Sequence, residues 1–171
     1  MKRILTFMFI ILSNLCIAQN IIKINTISKN DSLKLSNCFK SFIRAIEIKN
    51  LKTIKALCLN KVDCEMRIPN DSFERPVENA FVSIETLAEY LSGSLQNLKL
   101  YKAITSEPLY MTSTSYLPAD GNYPKELKIP KGTFFTEYEL SYLIQKSENK
   151  YHFTFTKIVG TFKIWKVSTS P

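Results

Sequence analysis

The 171 residues are 45% apolar and 22% charged, with 23 lysines and arginines against 15 acids and a net charge of +8. That suits one domain with a sizeable core, and with four glycines and one histidine it leaves out glycine-rich phosphate loops, serine nucleophile elbows and histidine-based zinc sites. The cations are spread evenly, as on a solvated surface, so the basic balance points to weak attraction to anionic surfaces and not to nucleic acid.

Met1-Lys2-Arg3 is a short basic start, followed by an apolar run over residues 4–12 and then Leu15-Cys-Ile-Ala18. The pattern predicts a secretory signal peptide over residues 1–18, cut after Ala18. The run falls short of the ~20 residues that a bilayer span needs, so no membrane span is expected after cleavage. Leu15 stands where a lipoprotein signal wants a small residue before its cysteine, which argues against lipidation of Cys16. The expected location is therefore periplasmic or extracellular. Removing Lys2 and Arg3, with no acid, leaves 153 residues at net +6.

An exported chain matures where disulfides persist, and Cys38, Cys58 and Cys64 remain. Cys58 and Cys64 are the expected pair, if Leu59-Asn-Lys-Val-Asp63 turns back after a helix; otherwise all three serve as small buried hydrophobes.

Residues 19–30 have no helical period and read as a flexible lead-in or edge strand, with one α+β domain over 31–171. Asp31 or Ser32 can cap a helix carrying Leu35, Cys38, Phe39, Phe42, Ile43 and Ile46 at spacings of three and four. Asn50 caps a shorter helix with Leu51, Ile54, Leu57 and Cys58 on one side. Residues 59–82, with Pro69 and Pro76, read as a connection. Ser83 caps a third helix to about residue 96, with Ile84, Leu87, Ala88, Leu91 and Leu95 on its stripe. Residues 109–116 are rich in β-branched and aromatic types and read as a strand. A proline-rich loop follows, with a brief strand at 127–129. The clearest signal comes last. Tyr138, Leu140, Tyr142 and Ile144 alternate with Glu137, Glu139 and Ser141, and Tyr151, Phe153 and Phe155 alternate with His152, Thr154 and Thr156. With the strand over 162–167 these make an antiparallel meander with one buried face, joined by the turns Ser147-Glu-Asn-Lys150 and Val159-Gly160. Phe162 and Ile164 share one face of the last strand while Trp165 and Val167 share the other, so that strand is bulged or buried on both sides.

Phe39-Lys-Ser-Phe-Ile-Arg-Ala-Ile46, Asn50-Leu-Lys-Thr-Ile-Lys-Ala-Leu57 and Phe153-Thr-Phe-Thr-Lys-Ile-Val-Gly-Thr-Phe-Lys-Ile164 together resemble the nuclear-transport-factor-like superfamily, including SnoaL-like and related secreted bacterial proteins. The resemblance implies N-terminal helices held in a curved antiparallel sheet, a cone with a pocket at its open end, and homodimerisation through the sheet's outer face. A cystatin-like fold is the alternative, although it has one long helix where three are expected here.

On such a cone the polar groups of the inward strand faces are Tyr138, Tyr142 and Tyr151, either pocket donors or core rings. His152 shares the outward face with Thr154 and Thr156, away from any inward pocket. Glu137 and Glu139 also point outward, into cross-strand pairing. Asp63, Glu65, Asp71 and Glu74 are irregularly spaced with no glycine among them, unlike a calcium loop, so no metal is expected. No cofactor is implied. The reading is an exported binding domain for a small apolar ligand or a protein partner. A cofactor-free isomerase, dehydratase or hydrolase, and a structural envelope component, are the alternatives.

Overall fold

The computed structural model describes residues 23–65, 81–97, 110–117, 127–130, 132–143 and 150–170. The expected signal peptide, the acids Asp71, Glu74 and Asp120, and the turn at Ser147 lie outside them. The elements run β1 (Lys23–Asn25), α1 (Lys29–Glu47), α2 (Leu51–Leu57), β2 (Cys58–Glu65), β3 (Phe81–Ser83), α3 (Ile84–Asn97), β4 (Tyr110–Tyr116), β5 (Phe135–Leu143), β6 (Lys150–Ile158) and β7 (Thr161–Ser170). This is an α+β fold in which the helices pack on one face of a single curved sheet. Among the described residues no helix is long and apolar enough to cross a membrane.

The first helix begins earlier than its sequence signals predict. Ser28, not Asp31 or Ser32, is the cap, its hydroxyl accepting from the Asp31 backbone N–H at 3.1 Å. Asp31 instead sits in the first turn, where the helix dipole favours an anion, and pairs with Lys157 of β6 at 2.8 Å. The helix stops in a Schellman turn. Lys49 takes a φ of 54°, and the Asn50 and Lys49 amides donate to the Ala45 and Ile46 carbonyls at 2.8 and 3.1 Å. Asn50 then starts α2, its side chain accepting from the Thr53 amide at 3.1 Å. The Ser83 hydroxyl accepts from the Thr86 amide at 3.2 Å at the start of α3, which runs through Gly93 to Asn97.

The sheet order is β1-β4-β5-β6-β7-β2-β3. Every neighbouring pair is antiparallel except β2 with β7, which is parallel. Two segments correct the sequence reading, since Cys58–Glu65 and Phe81–Ser83 are strands where a connection is expected over 59–82, while Lys23–Asn25 is the edge strand given as one reading of residues 19–30. Residues 127–130 form no strand. Across from Thr154 and Phe155 the β7 strand carries one residue too many, Trp165, so β7 is bulged; the bulge bends the sheet and strengthens its twist.

The inner face, against α1, is packed with rings. Phe39 stacks on Tyr142 with centroids 5.0 Å apart and tilts onto Phe153 at 4.9 Å. Tyr138 meets Phe162 edge-on at 4.9 Å. Leu35, Phe42, Ile46, Leu87, Leu91, Ile164 and Val167 complete this core. A second, smaller cluster lies on the outer face, where Leu59, Phe135 and Trp165 are covered in part by Leu127 and Ile129.

The β6–β7 hairpin turns through Val159 and Gly160, with φ of 47° and 79°, as a type I′ turn requires at both central positions. A β-branched residue there is strained, and Val159 is 99% exposed, with no burial to offset the strain. Val159→Asn should therefore raise unfolding free energy by about 1 kcal/mol, read as a higher urea midpoint with an unchanged m-value; no gain would place the turn in another geometry.

Candidate functional site

Among the described residues the tyrosines expected to line an apolar pocket belong to the core of the inner face. Tyr142 is 1% exposed and Tyr151 7%, and Tyr138 packs on the same core. These rings fill the bend themselves. Burial raises the hydroxyl pKa of Tyr142 and Tyr151, so both stay protonated at neutral pH.

The expected Cys58–Cys64 bridge is not seen, and Cys38, Cys58 and Cys64 are all thiols outside any disulfide. Cys58 and Cys64 stand beside Ile164 and Val167 of β7, partners about 10 Å apart along a strand, beyond the ~7 Å that a disulfide spans. The Cys38 thiol instead donates to the Phe162 carbonyl at 3.6 Å. Burial pushes Cys38 up to about 11 and Cys58 up to about 12, so neither is a reactive thiolate.

What the sheet offers lies on its outer face. Register places Glu139, Thr154, Lys166, Asp63 and Phe81 in one row across β5, β6, β7, β2 and β3. Paired strands are about 4.8 Å apart, so the row is a continuous strip of alternating chemistry. Two residues along, Ser141, His152, Ser168 and Glu65 form a parallel row. Over these rows opens a hollow of about 440 Å³, walled by Tyr116, Glu137 and Trp165. A second hollow of about 330 Å³ lies between α1 and the β6–β7 turn, where Lys34 is the one charged wall residue among the described residues.

Charge in the outer hollow is tightly organised. Lys166 reaches Glu65 at 2.8 Å and Asp63 at 3.5 Å; burial acts to lower its pKa, but the two carboxylates outweigh that and raise it. Burial raises the Asp63 carboxyl, with Lys166 only partly opposing. Glu137 is likewise raised by burial, although it accepts a 2.7 Å hydrogen bond from the Tyr116 hydroxyl. Burial and that same bond raise Tyr116. Asp63 Oδ1 and Trp165 Nε1 are buried behind this wall, with essentially no accessible surface and no hydrogen-bond partner.

His152 is outward, as its alternation predicts, and joins Glu139 and Ser141. Its Nδ1 lies 3.0 Å from each of Glu139 Oε1 and Ser141 Oγ, and Ser141 donates to Glu139 at 2.7 Å. Two of these three contacts fall on the same ring nitrogen, Nδ1, whereas a nucleophile–base–acid relay sets its nucleophile and its acid on different ring nitrogens. Among the described residues no three histidines, cysteines or acids are grouped to hold a metal ion.

No family model and no curated protein matches the sequence. Among solved structures the chain is similar to a designed NTF2, at TM-score 0.40 and 11% identity over 84% of this chain and all of that one. It is also similar to a proposed dehydratase from the NTF2-like family of Streptomyces avermitilis, at TM-score 0.36 and 14% identity over 83% and 96% of the two chains. An LEH-like epoxide hydrolase from M. tuberculosis follows at 0.25 and 13%, over 81% and 84%. Its structural neighbours are NTF2-like proteins. The activities in those names are the neighbours' own.

The raised carboxyls carry a sign that can be checked. A folded-state pKa above the unfolded value means the folded state holds its proton more tightly, so stability falls as pH rises from the ordinary carboxylate range near 4 through the raised value. Glu137→Gln removes that contribution while keeping an acceptor for Tyr116. Urea denaturation should find the variant at least as stable as the parent at pH 7 and without that advantage at pH 4; a constant difference between the two would mean that Glu137 is not raised.

Proposed function

We propose that this chain is an exported binding domain whose ligand seats in the outer hollow. The supporting observation is a concavity of small-molecule size lined by aromatic side chains together with charged groups whose pKa values are shifted, Asp63, Glu137 and Lys166. A concave site with a few convergent polar groups among aromatic side chains is the usual lining of a small-molecule site. Because the inner face is filled, the ligand is one that meets a polar wall, unlike the apolar molecule expected for an inward pocket. Export rests on the pattern of residues 1–18, with its basic start, apolar run and Ala18.

A second reading uses the same hollow for acid–base chemistry, as a cofactor-free isomerase, dehydratase or hydrolase. It is favoured by two raised carboxyls beside Lys166, since such perturbed groups collect at catalytic sites. The binding reading is preferred because the groups are already engaged with one another: Glu137 with Tyr116, Asp63 and Glu65 with Lys166, and His152 with Glu139.

Native mass spectrometry of protein recovered from its own cells tests both halves. The mature chain should begin at Gln19 and carry a non-covalent small molecule, which Ser168→Tyr, intruding at the hollow's rim, should displace without changing the fold. An intact Met1 would end the export reading. A ligand-free parent, or a ligand indifferent to Ser168→Tyr, would end the hollow's.

A further inference from the structure

The three thiols of the described chain are not equally placed. Cys38 donates to the Phe162 carbonyl at 3.6 Å, and Cys58 stands beside Ile164 in register. Phe162 and Ile164 both point into the main core, and the Phe162 carbonyl lies only about 5 Å along β7 from the Ile164 Cα. Cys58 belongs to that core and Cys38 packs against it. Helix α1 and strand β2 therefore bring two thiols over one short stretch of β7. Cys38 also acts electrostatically on Cys58, and Lys163 on both, as close neighbours do.

Cys64 is set apart. Its partner Val167 lies about 15 Å along β7 from Phe162, well past the ~7 Å that separates bridged Cα atoms at most. Access also differs between the two close thiols. Cys38 is half-buried and lines the second hollow with Leu57 and Phe162, whereas Cys58 is 5% exposed. A reagent from solvent meets Cys38 first and reaches Cys58 through it.

We propose that Cys38 and Cys58 form a disulfide tying α1 to β2, closed by exchange with a small disulfide of the glutathione type that enters at the second hollow. The Cys38 thiol gives its proton to solvent and attacks one donor sulfur; the donor S–S bond breaks, and the first donor thiolate leaves and takes up a proton. Cys58, deprotonated in turn, attacks the Cys38 sulfur of the mixed disulfide, and the second donor thiol leaves in the same way. Two protein thiols have been oxidised and one donor disulfide reduced to two thiols. Burial holds both protein thiols protonated at neutral pH, so exchange is slow once the chain is folded and the bond is acquired as it folds. That a donor is present in the cell rests on the export reading above. The bridge would fix β2, the strand that carries Asp63 and Glu65 to the outer hollow.

Trypsin puts each cysteine on its own peptide, Leu35–Lys40, Ala56–Lys61 and Val62–Arg67. The chain from Gln19 onward, which carries every described residue, is reduced in urea, refolded with oxidised and reduced glutathione at a pH of about 8.5, the ordinary thiol pKa, alkylated and digested without reduction. Leu35–Lys40 should be found linked to Ala56–Lys61, with Val62–Arg67 alkylated. Cys64→Ser should leave that linkage unchanged, and Cys58→Ser should abolish it without moving the bond to Cys64. The bridged parent should show a higher urea midpoint than the same protein reduced with dithiothreitol, because the bond restricts the unfolded chain. Folded protein with all three peptides alkylated, a linkage through Val62–Arg67, or a bridged form with a lower midpoint than the reduced one would each overturn the pairing. The exchange is run in solution, so its outcome is independent of residues 1–18. A bridge formed there, with protein from its own cells found reduced and starting at Met1, would overturn export and leave the pairing standing.

Discussion

The structure depends on one ring stack. Phe39, on the middle of α1, lies 5.0 Å from Tyr142 and 4.9 Å from Phe153, joining the helix to β5 and β6 where the sheet bends around it. Each such pair adds about 0.5–1.5 kcal/mol beyond the area it buries. The larger consequence is spatial. A sheet curled over a helix can keep an open interior or fill it, and here Phe39, Tyr142, Phe153 and Phe155, all at most 1% exposed, fill it. Polar chemistry then has only the opposite face of the same strands to occupy, and alternation puts Glu137, Glu139, His152 and Thr154 there.

The outer face becomes a site through two departures from regular strand geometry. Trp165 is the surplus residue of β7, and the bulge turns its indole outward into the small cluster with Leu59 and Phe135 while Ile164 and Val167 stay in the main core. The second departure is β2, whose register against β7 slips between Cys58 and Asp63. That slip sets Val62 in the core and Asp63 beside Lys166 on the outside. Without β2 the row Glu139, Thr154, Lys166 would end at an open edge. With it, the strip gains two acids and a wall.

These departures also mark what could be read from the sequence. The helices were legible because Leu35, Phe39, Phe42, Ile43 and Ile46 repeat at helical spacing, and Asn50 and Ser83 announce the next two starts. The meander was legible from its alternation, and the clash between Ile164 and Trp165 foretold a bulge. The second strand was not legible. Its burial runs in pairs, not alternately, because the register slips, and a parallel partner drawn from the far end of the chain leaves no turn to announce it. Asp63 and Glu65 therefore read as loop acids, and a hollow that needs both could not be assembled. Alternation also told that Tyr138, Tyr142 and Tyr151 share a face, but not that Phe39 already occupies the space in front of them; that depends on volumes, which pattern does not carry.

The outer face departs from what folding alone selects. A face built only for stability would set lysines against glutamates, or threonines against threonines, with each polar atom satisfied. This one raises two carboxyls by burial, leaves Asp63 Oδ1 and Trp165 Nε1 without hydrogen-bond partners, and, among the described residues, holds four acids around one lysine. Each feature costs the fold stability. A well-filled core on the other side of the same strands can carry such costs, since it supplies stability without needing anything from the outer face. Local sequence choices that work against the fold are expected where function, not folding, selects the residue, and in this chain they coincide in one concavity.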